Sequence, residues 1–146
     1  MGNPRSGILK LLESKRQLFE EIEKNRQEQL ELLKDSSYER FYAGTAAVDH
    51  IIEKIKNIDY DIARLESDEF SLAGLVDSGD NEVKKLVYSI IKLAKKNNDL
   101  TGELINSLRK SHTELKAELD STVEMSQIGG YKPSDRPSPA YFDKTS

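Results

Sequence analysis

Cysteine is absent from the 146 residues, which removes disulfides, thiolate metal sites and thiol nucleophiles together and suits a reducing cytoplasm. No stretch approaches the roughly 18 to 20 apolar residues that span a bilayer. The N-terminus shows no basic region followed by an apolar run, so the chain reads as cytoplasmic, neither exported nor embedded. Gly2 with Ser6 matches the short myristoylation template, a pattern frequent by chance, and no lipid anchor is read from it. Large blocks of one charge are lacking too. The net charge of −4 reads as interspersed signs that steer no polyanion, so nucleic-acid binding is not expected.

Catalytic and metal-binding patterns are equally scarce. Phosphate-binding glycine loops and serine elbows are missing. His50 and His112 fall on different expected helices, and neither has a glutamate three residues before it, as a bundle di-iron site requires. Carboxylate pairs such as Glu20-Glu21 and Glu66 with Asp68 belong to solvated helix faces, with nothing to mark a cleft that would raise a pKa. The expectation is a protein without catalysis, metal or cofactor.

What the chain does hold is helical periodicity. With 36% apolar and 33% charged residues, the balance fits amphipathic helices that each keep one stripe dry. Ile8, Leu11, Leu12, Leu18, Phe19, Ile22, Leu30 and Leu33 recur at three- and four-residue steps and predict a helix over 6–34. Lys15 and Arg26 interrupt that stripe, which favours bundle packing over a strict coiled-coil seam, their stems lying along the core. Ser36 and Glu39 offer a capping box for a second helix over 36–66, carrying Tyr38, Phe41, Tyr42, Thr45, Ile52, Ile55, Ile58, Ile62 and Leu65. The turn near Asp35 makes the two an antiparallel hairpin. Gly44 weakens an early turn of the second by about 1 kcal/mol relative to alanine.

Residues 67–80 read as a packed loop with a short helical turn, closing on the turn signal Asp77-Ser78-Gly79-Asp80. A third long helix over 81–126 follows, with no proline to interrupt it. At 1.5 Å per residue it is roughly 65 Å long, against roughly 45 Å for either preceding helix. Three of the four prolines stand in the last twenty residues. Residues 127–146 therefore read as a flexible tail with Tyr131, Tyr141 and Phe142 as aromatic anchors. The fold expected is all-α: an elongated antiparallel bundle of three main helices, occupying 1–126, with a very long third helix.

That extra length leaves an apolar stripe without an intrachain partner. Leu104, Leu108, Leu115, Leu119 and Val123, with the tail aromatics Tyr131, Tyr141 and Phe142, are the candidate partner-binding residues. Two uses fit the stripe: a groove that accepts a helix of another protein, or self-assembly into a coiled-coil adaptor or tether.

Three segments resemble flagellar export chaperones of the FlgN family. Asp49 to Ile55, continuing through Ile58-Asp59 to Ala63-Arg64-Leu65-Glu66, is similar to the family's second helix. Lys96-Asn97-Asn98-Asp99-Leu100 with Leu104, Ile105 and Leu108 resembles its third. Gly130-Tyr131-Lys132 followed by Ser138-Pro139-Ala140-Tyr141-Phe142-Asp143-Lys144 looks like its terminal segment. The resemblance implies a chaperone that holds hook-filament junction proteins before secretion. It also implies that the third long helix accepts the client's C-terminal helix and that the tail around Tyr131 is a contact for the export gate.

Overall fold

The computed structural model describes the backbone of residues 3–128 and the side chains of residues 3–123. Four helices follow one another: α1 (Pro4–Lys34), α2 (Tyr38–Leu65), α3 (Leu72–Asp77) and α4 (Asn81–Ile128). No strand occurs among the described residues. The chain divides into two compact units, Met1–Leu108 and Arg109–Ser146. This division falls inside α4, whereas the periodicity predicts one bundle over 1–126. The tail expected at 127–146 lies, beyond Ile128, outside the described residues.

Each helix starts and stops for a local reason. Asn3 caps α1, its side chain accepting from the Arg5 amide at 3.0 Å, and Pro4 occupies the first helical position, where a missing N–H is harmless. The helix thus begins two residues before the expected start at 6. At the other end the Ser36 amide donates to Leu33 O and the Ser37 amide to Leu32 O, with Ser36 at a φ of 57°. That pair of bonds is the Schellman arrangement, with serine where glycine is usual. Because Ser36 closes α1 it does not cap α2. Ser37 takes the cap position and makes no side-chain cap bond, so the expected Ser36–Glu39 capping box does not form.

The segment 67–80 contains α3, a six-residue helix capped by Ser71 Oγ, which accepts from Gly74 N. It closes in the same way as α1: Gly79 donates to Val76 O and Asp80 to Leu75 O. Gly79 has a φ of 86°, a left-handed conformation that a side chain would strain. Asp80 then starts α4, its carboxylate accepting from Val83 N at 3.3 Å.

Within Met1–Leu108 the core comes from one face of each long helix. Ile8, Leu12, Ile62, Val83 and Ile90 form one buried cluster, Ile22, Val48, Ile51 and Ile55 a second, and Leu33, Phe41 and Leu104 a third. The side chains of α3, Leu72, Leu75 and Val76, pack on the first. The pairings fix direction. Lys15 meets Asp59 at 2.7 Å and Gln29 meets Phe41 O at 2.9 Å, so α2 runs back along α1. Arg5 meets Asp80 at 2.6 Å and Asn97 Nδ2 donates to Phe19 O at 3.0 Å, so this part of α4 runs with α1. Lys15 thus interrupts the stripe as an ion-pair partner on the bundle's flank.

Candidate partner-binding surface

In the first unit α4 turns Val83, Ile90, Asn97 and Leu104 inward, one residue every seven, the spacing of a helix face held against neighbours. Asn97 is the polar member. It is 6% exposed, and while its amide nitrogen reaches Phe19 O, its Oδ1 has no partner among the described residues. A second buried polar group, Gln29 on α1, satisfies itself better. Its Nε2 donates to Phe41 O and Thr45 Oγ1, and its Oε1 accepts from Arg26 Nη1 at 2.9 Å. Burial pushes the Arg26 guanidinium below its ordinary pKa, with Asp49 acting in the opposite sense. The sequence marks Arg26 as an interruption of the stripe, but the burial of Gln29 and Asn97 is not legible there, because a glutamine or asparagine on an apolar stripe looks like a surface residue until its neighbours are known.

The eight expected partner-binding residues separate into four groups. Leu104 is 3% exposed in the cluster with Leu33 and Phe41. It is core and offers no surface to a partner, which corrects the expectation for this residue. Leu108 is half-buried against that same cluster. Leu115 and Leu119 are 47% and 62% exposed, and Val123 is half-buried. Tyr131, Tyr141 and Phe142 lie outside the described residues.

The steps from 115 to 119 and 123 keep these three side chains on one helix face. From Arg109 to Thr122 every residue is exposed except half-buried Ser111, and among them Leu115 and Leu119 are the large apolar ones. Arg109, Lys110, Glu114, Lys116, Glu118 and Asp120 supply mixed charges around them. The surface is a narrow apolar stripe in a polar field, the pattern of helix-on-helix docking. No group of histidines and carboxylates able to hold a metal occurs among the described residues.

Elsewhere in the first unit, Leu30 and Glu31 of α1 and Glu103 and Asn106 of α4 line an open groove of about 610 Å³. A groove so open lacks the enclosure that holds a small molecule. The charge distribution is less even than the net value implies. Between Glu82 and Asp99 there are five lysines and no acidic residue, a local run that the overall charge balance concealed. No described helix is long and apolar enough to cross a membrane.

No protein-family model matches the chain, and comparisons with curated proteins and with solved structures find no match.

Proposed function

We propose that this protein is a cytoplasmic export chaperone of the FlgN type. It binds the C-terminal helical region of flagellar hook-filament junction proteins, keeps them from aggregating or assembling early, and delivers them for secretion. The observation that carries this reading is the pair Leu115 and Leu119, exposed at 47% and 62% on a helix whose other large side chains there are polar. Leaving two leucines partly in water forgoes burial free energy of about 1–2 kcal/mol each, the share of a full leucine burial that a partner helix recovers. In this reading α1, α2 and α4 make an elongated antiparallel bundle. The Leu115 and Leu119 stretch of α4 receives the client, and the tail with Tyr131, Tyr141 and Phe142 contacts the export gate.

Such a chaperone performs no catalysis. It shields an amphipathic client helix and releases it on demand, with affinity set by a few leucine anchors within an interface of about 1,600 Å². The test is co-purification with hook-filament junction proteins of the same genome, followed by size-exclusion chromatography with light scattering. A defined heterocomplex that disappears when the client's last helix is deleted supports the reading. A tight homo-oligomer that captures no client assigns the stripe to self-assembly, as in a coiled-coil tether.

A further inference from the structure

The outward face of α4 in the first unit carries a pattern that the core does not use. Val83, Ile90, Asn97 and Leu104 point inward, so residues 84, 85, 88, 91, 92 and 95 share the opposite face. Lys85, Lys92 and Lys95 are exposed and Lys84 is half-buried. Of the five lysines between Glu82 and Asp99, Lys96 alone is ion-paired among the described residues, to Glu23 at 2.6 Å. Two apolar side chains stand in water among these cations, Tyr88 at 69% and Ile91 at 47% exposure. Lys84, Tyr88 and Lys92 line one shallow groove.

Both features work against the free protein. Lys92 lies three and four residues from Lys95 and Lys96, a spacing at which like charges repel. Tyr88 and Ile91 keep apolar area hydrated. A helix bearing carboxylates beside a short apolar stripe removes both costs at once.

A nucleic acid or an anionic bilayer fits less well. The face has lysines without the arginine forks that grip phosphate, and Arg5 nearby is taken by Asp80 and Glu82. The chain as a whole is negative, which repels an extended polyanion at long range. The chain's own C-terminal segment has the wrong charge, with Lys132, Arg136 and Lys144 against Asp135 and Asp143.

We propose that the Lys84–Lys95 face of α4 docks an acidic amphipathic helix of a partner protein. The occupant is about three turns long, roughly 16 Å, with carboxylates over the lysines and apolar residues over Tyr88 and Ile91. This surface is separate from the client stripe at Leu115 and stands whether or not the chaperone reading does.

The test uses the full chain and a labelled synthetic helix of about 18 residues, with leucines on one face flanked by glutamates, followed by fluorescence anisotropy at about 50 and 300 mM salt. The glutamate peptide binds and its lysine counterpart does not. Affinity falls about tenfold in the K84E/K92E/K95E variant, as expected for like charges facing across an interface. It also falls severalfold in Y88A, and stays within about twofold in K54E/K56E, which alters exposed lysines of α2. The neutral K84Q/K92Q/K95Q variant gives an intermediate loss, and circular dichroism shows all these variants folded. Leu115→Asp leaves peptide affinity unchanged, so failure here and failure of the client site are told apart. The proposal is overturned if the peptide does not bind, if K54E/K56E costs as much as the α4 reversal, or if Leu115→Asp abolishes binding. It is equally overturned if these lysines hold duplex DNA or phosphatidylserine vesicles more tightly than the peptide, or if light scattering shows that they hold two copies of the chain together.

Discussion

The side-chain amide of Gln29 donates to the main-chain carbonyl of Phe41 at 2.9 Å, tying α1 to the first turn of α2 from inside the core. Gln29 is 1% exposed, and it also holds Thr45 Oγ1 and Arg26 Nη1. Replacing it with leucine keeps the volume but removes all three bonds. Arg26, whose Nε already lacks a partner among the described residues, then loses the hydrogen bond that remains to it there. Gln29→Leu therefore destabilises by about 1–3 kcal/mol, since the stranded polar groups outweigh the gain from a more apolar side chain. A urea titration with an unchanged m-value and a lower midpoint is the expected result.

Gly44 explains its own presence through Gln29. A Cβ at position 44 would stand 3.0 Å from Gln29 Cγ and 3.3 Å from its Nε2, whereas a Cβ at Gly102 of α4 meets nothing within 4 Å. Alanine at either site gains up to about 1 kcal/mol of helix propensity. At Gly102 that gain stands alone, so Gly102→Ala raises the thermal midpoint by a few degrees. At Gly44 the neighbour is buried and pinned by hydrogen bonds, so it does not yield. Gly44→Ala lowers the midpoint, and the opposite signs of the two changes are checked by calorimetry.

The helices were legible because their apolar steps follow the 3.6-residue period over many turns, and α1, α2 and α4 lie close to the expected 6–34, 36–66 and 81–126. What was not legible is how one short segment is shared between two helix ends. Ser36 satisfies the pattern of a cap for α2, yet the carbonyls of Leu32 and Leu33 claim the turn first. The Asn3-Pro4 start of α1 was there to be read, as a cap followed by a proline at the first helical position. In the candidate surface, Leu104 and Leu115 look alike in sequence. They differ because Leu33 and Phe41 are near enough to cover the first, a tertiary fact that periodicity does not hold. The burial of Gln29 and Asn97 was not legible for the same reason.

The link between Arg5 and Asp80 sets an acid limit on the first unit. Arg5 Nε donates to Asp80 Oδ2 at 2.6 Å and Nη2 to Oδ1 at 3.1 Å. That bidentate bond, aided by the Val83 and Glu82 amides, holds the Asp80 carboxyl below its ordinary value. A carboxyl whose pKa is lower in the folded chain contributes stability that is complete above its unfolded value. That contribution is lost as pH falls through the folded one. The loss attributable to Asp80 thus begins near pH 4 and continues below it. Asp80→Asn keeps an acceptor for the Val83 amide while removing the charge. The variant is less stable than the parent at neutral pH, and the difference narrows below about pH 4. Some acid sensitivity persists in the variant because Arg16 lowers Glu13 in the same direction. Urea midpoints measured across the acid range decide it, and a gap that stays constant with pH would show that the ion pair contributes nothing.

Leu104 and Leu115, eleven residues apart on α4, separate folding from binding. Leu104 is closed in by Leu33 and Phe41, so Leu104→Ala leaves a cavity and costs about 2–5 kcal/mol of stability. Leu115 is 47% exposed, so Leu115→Asp changes the thermal midpoint little and leaves the helical circular-dichroism signal in place. If this stripe receives a client helix, the same substitution sets a buried charge against apolar anchors and weakens the complex by about tenfold or more. The decisive comparison is client affinity measured by calorimetry for folded Leu115→Asp beside the parent. Unchanged affinity moves the client site away from Leu115, and loss of helical signal makes Leu115 a core residue. Retained fold with lost affinity leaves the exposed stripe of α4 as the surface that holds the client.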